Sequence, residues 1–370
     1  MFLLCSHHRP MDADGSPIPA SRRPGRAATG NASGRYEPYV RSAFDDGWAS
    51  DETLPPLRTE VTEERPRKVI TSNESPDVPF DRSLNPYRGC EHGCIYCYAR
   101  PMHAWLGLSP GLDFETRLIA KPQAPEILAR ELGARGYVAR VIALGTATDP
   151  YQPIERDRRI TRRLLEVLAA HRHPFTITTR GTLVERDLDL LAPLAAQGLV
   201  QVGLSVTTLD PGVARVMEPR APSPLRRLET VRRLTEAGVP VRVQVSPVIP
   251  GLTDHEIEAI LSAAAQAGAR AASATVLRLP REVATLFRTW LEERFPDRAA
   301  RVMARLRELH GGRDYDPDWG TRMTGQGAWA RLLRSRFDLA TRRLGLKELP
   351  PPRSDLFRVP REPDPQLSLF

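Results

Sequence analysis

Two rhythms of apolar and polar positions take turns along most of this chain. From Val69 onward, short apolar runs bounded by Gly, Pro or polar residues alternate with longer stretches in which apolar residues recur every three or four positions. The first rhythm predicts strands and the second amphipathic helices. Strands are expected from Arg82 to Asn85, Val138 to Leu144, Phe175 to Thr179, Val200 to Val206, Val241 to Val245 and Ala272 to Leu277. Between them, Asp157 to Arg172 puts Ile160, Leu164, Leu165 and Leu168 on one face and Arg158, Arg159, Arg162 and Arg163 elsewhere, as a helix covering a sheet should. Asp187 to Ala196, Pro224 to Ala237 and Asp254 to Ala267 repeat the theme, with Gly238 and Gly268 as C-terminal stops. Recurrence at roughly thirty residues is the period of a βα unit. Six such units predict an α/β fold, a partial TIM barrel of (β/α)6 type, with its chemistry at the C-terminal ends of the strands.

The rhythm fails at both ends. Residues 1–68 are rich in Gly, Pro, Ser, Asp and Arg and are expected to form a largely disordered N-terminal arm, although Tyr36, Tyr39, Phe44 and Trp48 could dock it locally. The barrel core is expected over residues 69–295. Residues 296–348 then read as a helical extension, with helices expected from Asp297 to Leu309, before Gly311 and Gly312, and from Gln326 to Leu344. Arginine stripes on these helices, with Tyr315, Trp319 and Trp329 nearby, could follow a phosphate backbone. Residues 349–370 read as a flexible, proline-rich tail.

Composition narrows the class. The chain has 370 residues, 41% of them hydrophobic, and no apolar run long enough to span a membrane. Met1 to Cys5 are too few for a signal-peptide core, so a cytoplasmic location is expected, and reducing conditions there suit free thiols. The net charge of +8 favours polyanionic partners, DNA among them.

Three of the four cysteines, Cys90, Cys94 and Cys97, fall within eight residues of one another, in the stretch running from Asn85 to Arg100. A C-x3-C-x2-C spacing is too tight for disulfide staples and suits a loop wrapped around an inorganic centre. Three thiolates fit an iron-sulfur cluster with one open iron. Zinc is the alternative, with His92, His103 or Cys5 as fourth ligand, and would make the chain a non-catalytic, DNA-associated adaptor. Gly89 and Gly93 would let the loop bend tightly.

The motif C-x3-C-x-Tyr-C resembles the signature of radical S-adenosylmethionine (SAM) enzymes. That resemblance implies a [4Fe-4S] cluster held by Cys90, Cys94 and Cys97, S-adenosyl-L-methionine bound at the fourth iron, a 5′-deoxyadenosyl radical, and an external electron donor such as flavodoxin or ferredoxin. It also implies cofactor contacts at the strand ends. These are Tyr96 in the loop, Gly145, Thr146 and Asp149 after the second strand, Arg180 after the third, Ser205 after the fourth, and Ile249 and Gly251 after the fifth. The usual G-G-E pattern after the second strand is absent. Arg180 suits bidentate recognition of the cofactor's carboxylate.

Within that superfamily, Cys94-Ile95-Tyr96-Cys97-Tyr98 resembles the spore photoproduct lyase-like branch of predicted DNA-repair enzymes. There, tyrosines matching Tyr96 and Tyr98 help relay a hydrogen atom, which implies a catalytic part for both. The lyases also use a separate cysteine near the end of the second strand, whereas this chain has no cysteine after Cys97 and places Thr146 in that neighbourhood. Finally, Gln366, Leu367, Ser368, Leu369 and Phe370 resemble the bacterial sliding-clamp-binding pentapeptide, a short segment that fills an apolar groove from a flexible tether.

Overall fold

The computed structural model describes residues 25–40 and 57–360. Its main sheet contains the strands β2 (Thr71–Ser72), β3 (Arg82–Leu84), β6 (Ile142–Leu144), β7 (Phe175–Thr179), β8 (Val200–Ser205), β9 (Val241–Val248) and β10 (Ala271–Val276), while β1 (Glu60–Glu63), β4 (Tyr87–Arg88) and β5 (Arg117–Ala120) form a small second sheet. In the main sheet the order is β10-β9-β8-β7-β6-β3-β2. The six strands from β3 to β10 are all parallel and adjacent in chain order, as a partial barrel requires, and β2 adds an antiparallel edge.

The two faces of this sheet differ because side chains alternate along each strand. Val200, Val202 and Leu204 of β8 and Val241, Val243 and Val245 of β9 face the helical layer and are no more than 1% exposed. The opposite face carries Thr176, Thr178, Gln201, Arg242 and Gln244, all partly exposed. A closed barrel packs this face with branched apolar residues; here it is a polar lumen. The helical layer is clamped by buried carboxylates as well as apolar contacts. Glu155 accepts from the backbone N–H of Thr161 (3.0 Å) at the start of helix Ile160–Ala170, from the Tyr87 hydroxyl (2.5 Å) and from Arg186 (2.8 Å).

Three connections close the barrel where strands do not. The side is bridged by the loop between helices Pro296–Leu309 and Gly327–Arg343. Its Met323 carbonyl accepts from the Val276 N–H on the β10 edge (3.1 Å), while Gly320 N–H and Arg322 bind Asp77 in the turn after β2. Below, residues 347–358 run under the strand starts. Lys347 N–H reaches Arg270 O (2.9 Å), Arg353 N–H reaches Gly198 O (2.8 Å) and Arg358 N–H reaches His171 O (3.0 Å). Phe357 seats this strap against Tyr137, His171 and His173. Behind the cysteine loop, residues 26–32 pack with Ala27 and Ala28 no more than 4% exposed.

Several expectations change in detail. Only Ile142–Leu144 of the strand expected from Val138 is strand, because Val138 is 63% exposed and its carbonyl is taken by the Arg82 side chain. The helix expected from Asp157 is two, Glu155–Arg158 and Ile160–Ala170, broken at Arg159, whose φ is 51°. Asp254–Glu256 is a 3-10 turn before helix Ile257–Gln266. Order also reaches into both flanks: residues 26–32 are packed, β1 pairs with β5, and residues 347–358 of the extension and tail are docked. Phe44, Trp48 and the segment Gln366 to Phe370 lie outside the described residues. Among the described residues no helix is long and apolar enough to cross a membrane.

Candidate active site at the cysteine loop

The cysteine loop leaves β3, pairs briefly through β4 with β5, and then coils. Cys90 N–H reaches Phe114 O (2.9 Å), Gly93 N–H reaches Cys90 O (3.2 Å), Cys97 N–H reaches Cys94 O (3.2 Å) and Arg100 N–H reaches Cys97 O (3.2 Å). This run of tight turns needs glycine at two points. Gly89 has φ +74° and a Cβ there would lie 2.6 Å from Leu118 Cδ2; Gly93 has φ +65° and a Cβ would lie 2.6 Å from Glu115 Oε2.

One fully buried ion pair holds the loop. The Arg100 guanidinium donates to the carbonyls of Gly93 (3.0 Å), Cys94 (3.0 Å), Pro110 (3.1 Å) and Gly111 (3.0 Å) and to Glu115 Oε1 (2.6 Å). Glu115 also accepts from the backbone N–H groups of Ala27 (3.3 Å) and Ala28 (3.0 Å). The segment expected to be an unstructured arm therefore completes the loop's support. Beside it, Gln152 accepts from Glu91 N–H (2.9 Å) and donates to Gly89 O (3.2 Å).

A second cluster of charges lies on the inner side of Tyr96. Its hydroxyl donates to Glu218, and Arg180 lies 2.5 Å from that hydroxyl and 2.7 Å from Glu218 Oε1. Arg227 and Thr207 complete the carboxylate's partners. Burial pushes the Glu218 carboxyl up, but Arg227 and Arg180 outweigh it and hold it down at about 2. Tyr98 faces outward, 46% exposed; its hydroxyl donates to Thr146 O and its ring lies under the Arg278 guanidinium, 4.6 Å from the ring centre.

The strand ends otherwise bind themselves. Asp149 accepts from Thr179 Oγ1 (2.6 Å) and Arg180 N–H (2.8 Å) and lies 3.3 Å from His92 Nδ1. Burial raises its carboxyl, but His92, Thr179 and the Arg180 N–H prevail and hold it at about 2. Gly145, with φ +86°, has no room for a Cβ, which would meet Thr178 O at 2.2 Å. Thr146 Oγ1 accepts from Asn85 (3.2 Å) and Ser205 donates to Gln244 (3.2 Å). Ile249 is fully buried, and its carbonyl accepts the N–H groups of Leu252, Thr253 and Asp254, while Gly251 N–H reaches Asp254 (2.9 Å).

The structure thus gathers Tyr96, Tyr98, Thr146, Asp149 and Arg180 around the cysteine loop. Ile249 packs in the same apolar cluster as Cys94, Ile95 and Tyr96, while Gly251 and Ser205 make their hydrogen bonds within their own turn and sheet. Sequence reasoning missed Arg100, Glu115, Glu218 and Arg227, for which the only available signal was ionisable residues in otherwise apolar surroundings.

The thiols suit a metal cluster. Burial, partly offset by Arg180, pushes the Cys94 thiol up to about 12, and Cys90 is raised well above its ordinary value. Such thiols become thiolates only beside compensating positive charge, which iron supplies.

The family model described as the Radical SAM superfamily matches residues 84–264. An uncharacterized protein of Mycobacterium tuberculosis is 37% identical over 242 residues, covering 65% of this chain and 70% of the relative. This chain belongs to the radical SAM superfamily. An uncharacterized protein of Methanocaldococcus jannaschii is 28% identical over 199 residues, 54% of this chain and 71% of that one. In fold, this radical SAM protein is similar to spore photoproduct lyase complexed with dinucleoside spore photoproduct, with a TM-score of 0.53 and 15% identity over 77% of this chain and 79% of that one.

The chain is accordingly a radical SAM enzyme, whose cofactors are a [4Fe-4S] cluster and S-adenosylmethionine. Bound, they supply a 5′-deoxyadenosyl radical by one-electron cleavage of the sulfonium. The protein's own contribution is positional. Arg100 and Glu115 fix the loop, and Glu218 orients the Tyr96 hydroxyl and the Arg180 guanidinium together.

Proposed function

We propose that Cys90, Cys94 and Cys97 hold the cluster and that the radical acts on a nucleic-acid base or nucleotide, in a repair-like reaction. The observation that carries the reading is the cysteine loop itself: three thiols on one rigid coil, with a buried tyrosine before the last and an exposed one after it. The likeness in fold to a lyase complexed with a dinucleoside photoproduct supports the substrate class. Tyr98, half exposed beside Thr146, is the group best placed to exchange hydrogen with such a substrate. Asp149 and Arg180 then act chiefly by shaping the cavity, since both are engaged with protein partners.

Anaerobically purified protein, reduced in the presence of S-adenosylmethionine, is expected to release 5′-deoxyadenosine, and damaged DNA is expected to change the yield or the product. Colourless protein with stoichiometric zinc and no deoxyadenosine would overturn the assignment in favour of the adaptor. A one-electron donor such as flavodoxin or ferredoxin is the expected physiological reductant.

The tail gives the second part of the proposal. Residues Gln366 to Phe370 follow the docked strap by only a few positions, and we assign them to the bacterial sliding clamp. A labelled peptide of these five residues should bind the clamp in an anisotropy titration; absence of binding removes the recruitment step but leaves the chemistry untouched.

A further inference from the structure

Most of the arginines near the mouth are already matched to carboxylates, Arg100 with Glu115 and Arg227 with Glu218 among them. Arg180 is paired with Glu218 (2.7 Å) and Arg220 with Glu91 (3.2 Å). Arg278 is different: among the described residues no hydrogen bond or ion pair engages its guanidinium, which lies over the face of Tyr98 and acts on the Asp77 carboxylate only through its field. It is partly buried, and the backbone leading into it is fixed. Val276 N–H is held by Met323 O (3.1 Å), Leu277 N–H by Val248 O (3.0 Å) and Leu277 O by His310 Nε2 (2.8 Å). The carboxylates of this neighbourhood are used elsewhere. Asp77 takes Arg322 and the Gly320 N–H, and Asp316 takes Thr321 and the Asp318 N–H. A guanidinium presents five donors in a fixed fork that matches oxyanion geometry, so one left open and rigidly mounted is a ready anion receptor.

We propose that Arg278 receives a phosphodiester of the nucleic-acid strand whose base is presented to Tyr98. This rests on the nucleic-acid reading above and adds the residue that would hold the strand's backbone. Its placement on the half-exposed face of Tyr98, rather than on the buried side with Tyr96, Arg180 and Glu218, puts it where a polymer can reach. The chain's excess of positive charge favours a polyanion over a neutral partner.

The test compares wild type, Arg278→Gln and Arg278→Lys, all with the cluster reconstituted, for binding to a short fluorescent single-stranded oligonucleotide over a salt series. Glutamine is expected to weaken binding about 5- to 20-fold at low salt and to reduce the log–log salt slope by about 0.7, the contribution of one phosphate contact on a single strand. Lysine is expected to restore the slope. S-adenosylmethionine binding, measured by equilibrium dialysis, should differ little between the three. Equal oligonucleotide affinity and slope in wild type and Arg278→Gln overturn the inference, and so does a glutamine variant that loses S-adenosylmethionine while keeping the oligonucleotide. If the wild type binds no oligonucleotide but still yields 5′-deoxyadenosine, both this inference and the nucleic-acid reading fall, while the radical chemistry stands.

Discussion

The two ends of the barrel are held together by different means. At the mouth, the loop and the strand ends are fixed by fully buried ionised groups: Arg100 with Glu115, and Arg227 with Glu218. At the floor, the strap is held by backbone hydrogen bonds and by Phe357 among Tyr137, His171 and His173. Buried charges are poor sources of net stability, because desolvation offsets their attraction, but losing one partner is severe. The mouth is therefore built for a single geometry and the floor for ordinary cohesion. A radical enzyme needs that asymmetry, since the reactive end tolerates little wandering.

The contrast can be broken most sharply at Glu115. Glu115→Ala leaves Arg100 buried without its carboxylate and is expected to cost about 3–5 kcal/mol, read as a lower midpoint in urea denaturation together with reduced iron content after reconstitution. Exchanging both Arg100 and Glu115 for leucine should recover little, because the carbonyls of Gly93, Cys94, Pro110 and Gly111 then lose their donor.

Acid should separate the two ends next. Glu218 and Asp149 are both held at about 2 in the folded protein, below their ordinary values of 4.5 and 3.8. A depressed carboxyl stabilises the fold above its unfolded pKa, and that stability is lost as pH falls through the window down to the folded value. Unfolding free energy is thus expected to decline from about pH 4.5 toward about 2. Glu218→Gln should flatten part of that slope in a pH series of denaturation curves, whereas a Phe357 variant should act on a higher window, between about pH 6.5 and 4, because burial beside that ring holds His173 down at about 4.

Gly93→Ala is expected to cost about 1–3 kcal/mol, since the new methyl group meets Glu115 in a left-handed turn; differential scanning calorimetry reads it directly. The smallest effect belongs to the floor. Phe357→Ala should lower stability by about 1–2 kcal/mol while 5′-deoxyadenosine release persists. A floor substitution that abolished the release would show that the two ends are coupled.

The six parallel strands were legible because each carries apolar residues on its helix-facing side, and the cysteine loop because its spacing is unusual for any other use. The charges that fix the loop were not. Tyr96 and Glu218 are 122 positions apart and Ala28 and Glu115 are 87 apart, so no local pattern could join them. The small sheet escaped because β4 has only two residues and β1 and β5 four each, too short for a period to show. Helix Glu282–Arg294 was different. Val283, Leu286, Phe287, Trp290 and Leu291 are spaced as one apolar stripe, a readable signal that sat unread beside the more obvious helix following it. Arg180 was placed correctly at the mouth, but its match to Glu218 could not be foreseen from either residue alone.

The bridge between Asp77 and Arg322 joins positions 245 residues apart. During synthesis that contact waits until Arg322 has left the ribosome, long after the cysteines have emerged. A product cut short before Arg322 would keep the three cysteines of the loop and lack the tie across the barrel's open side.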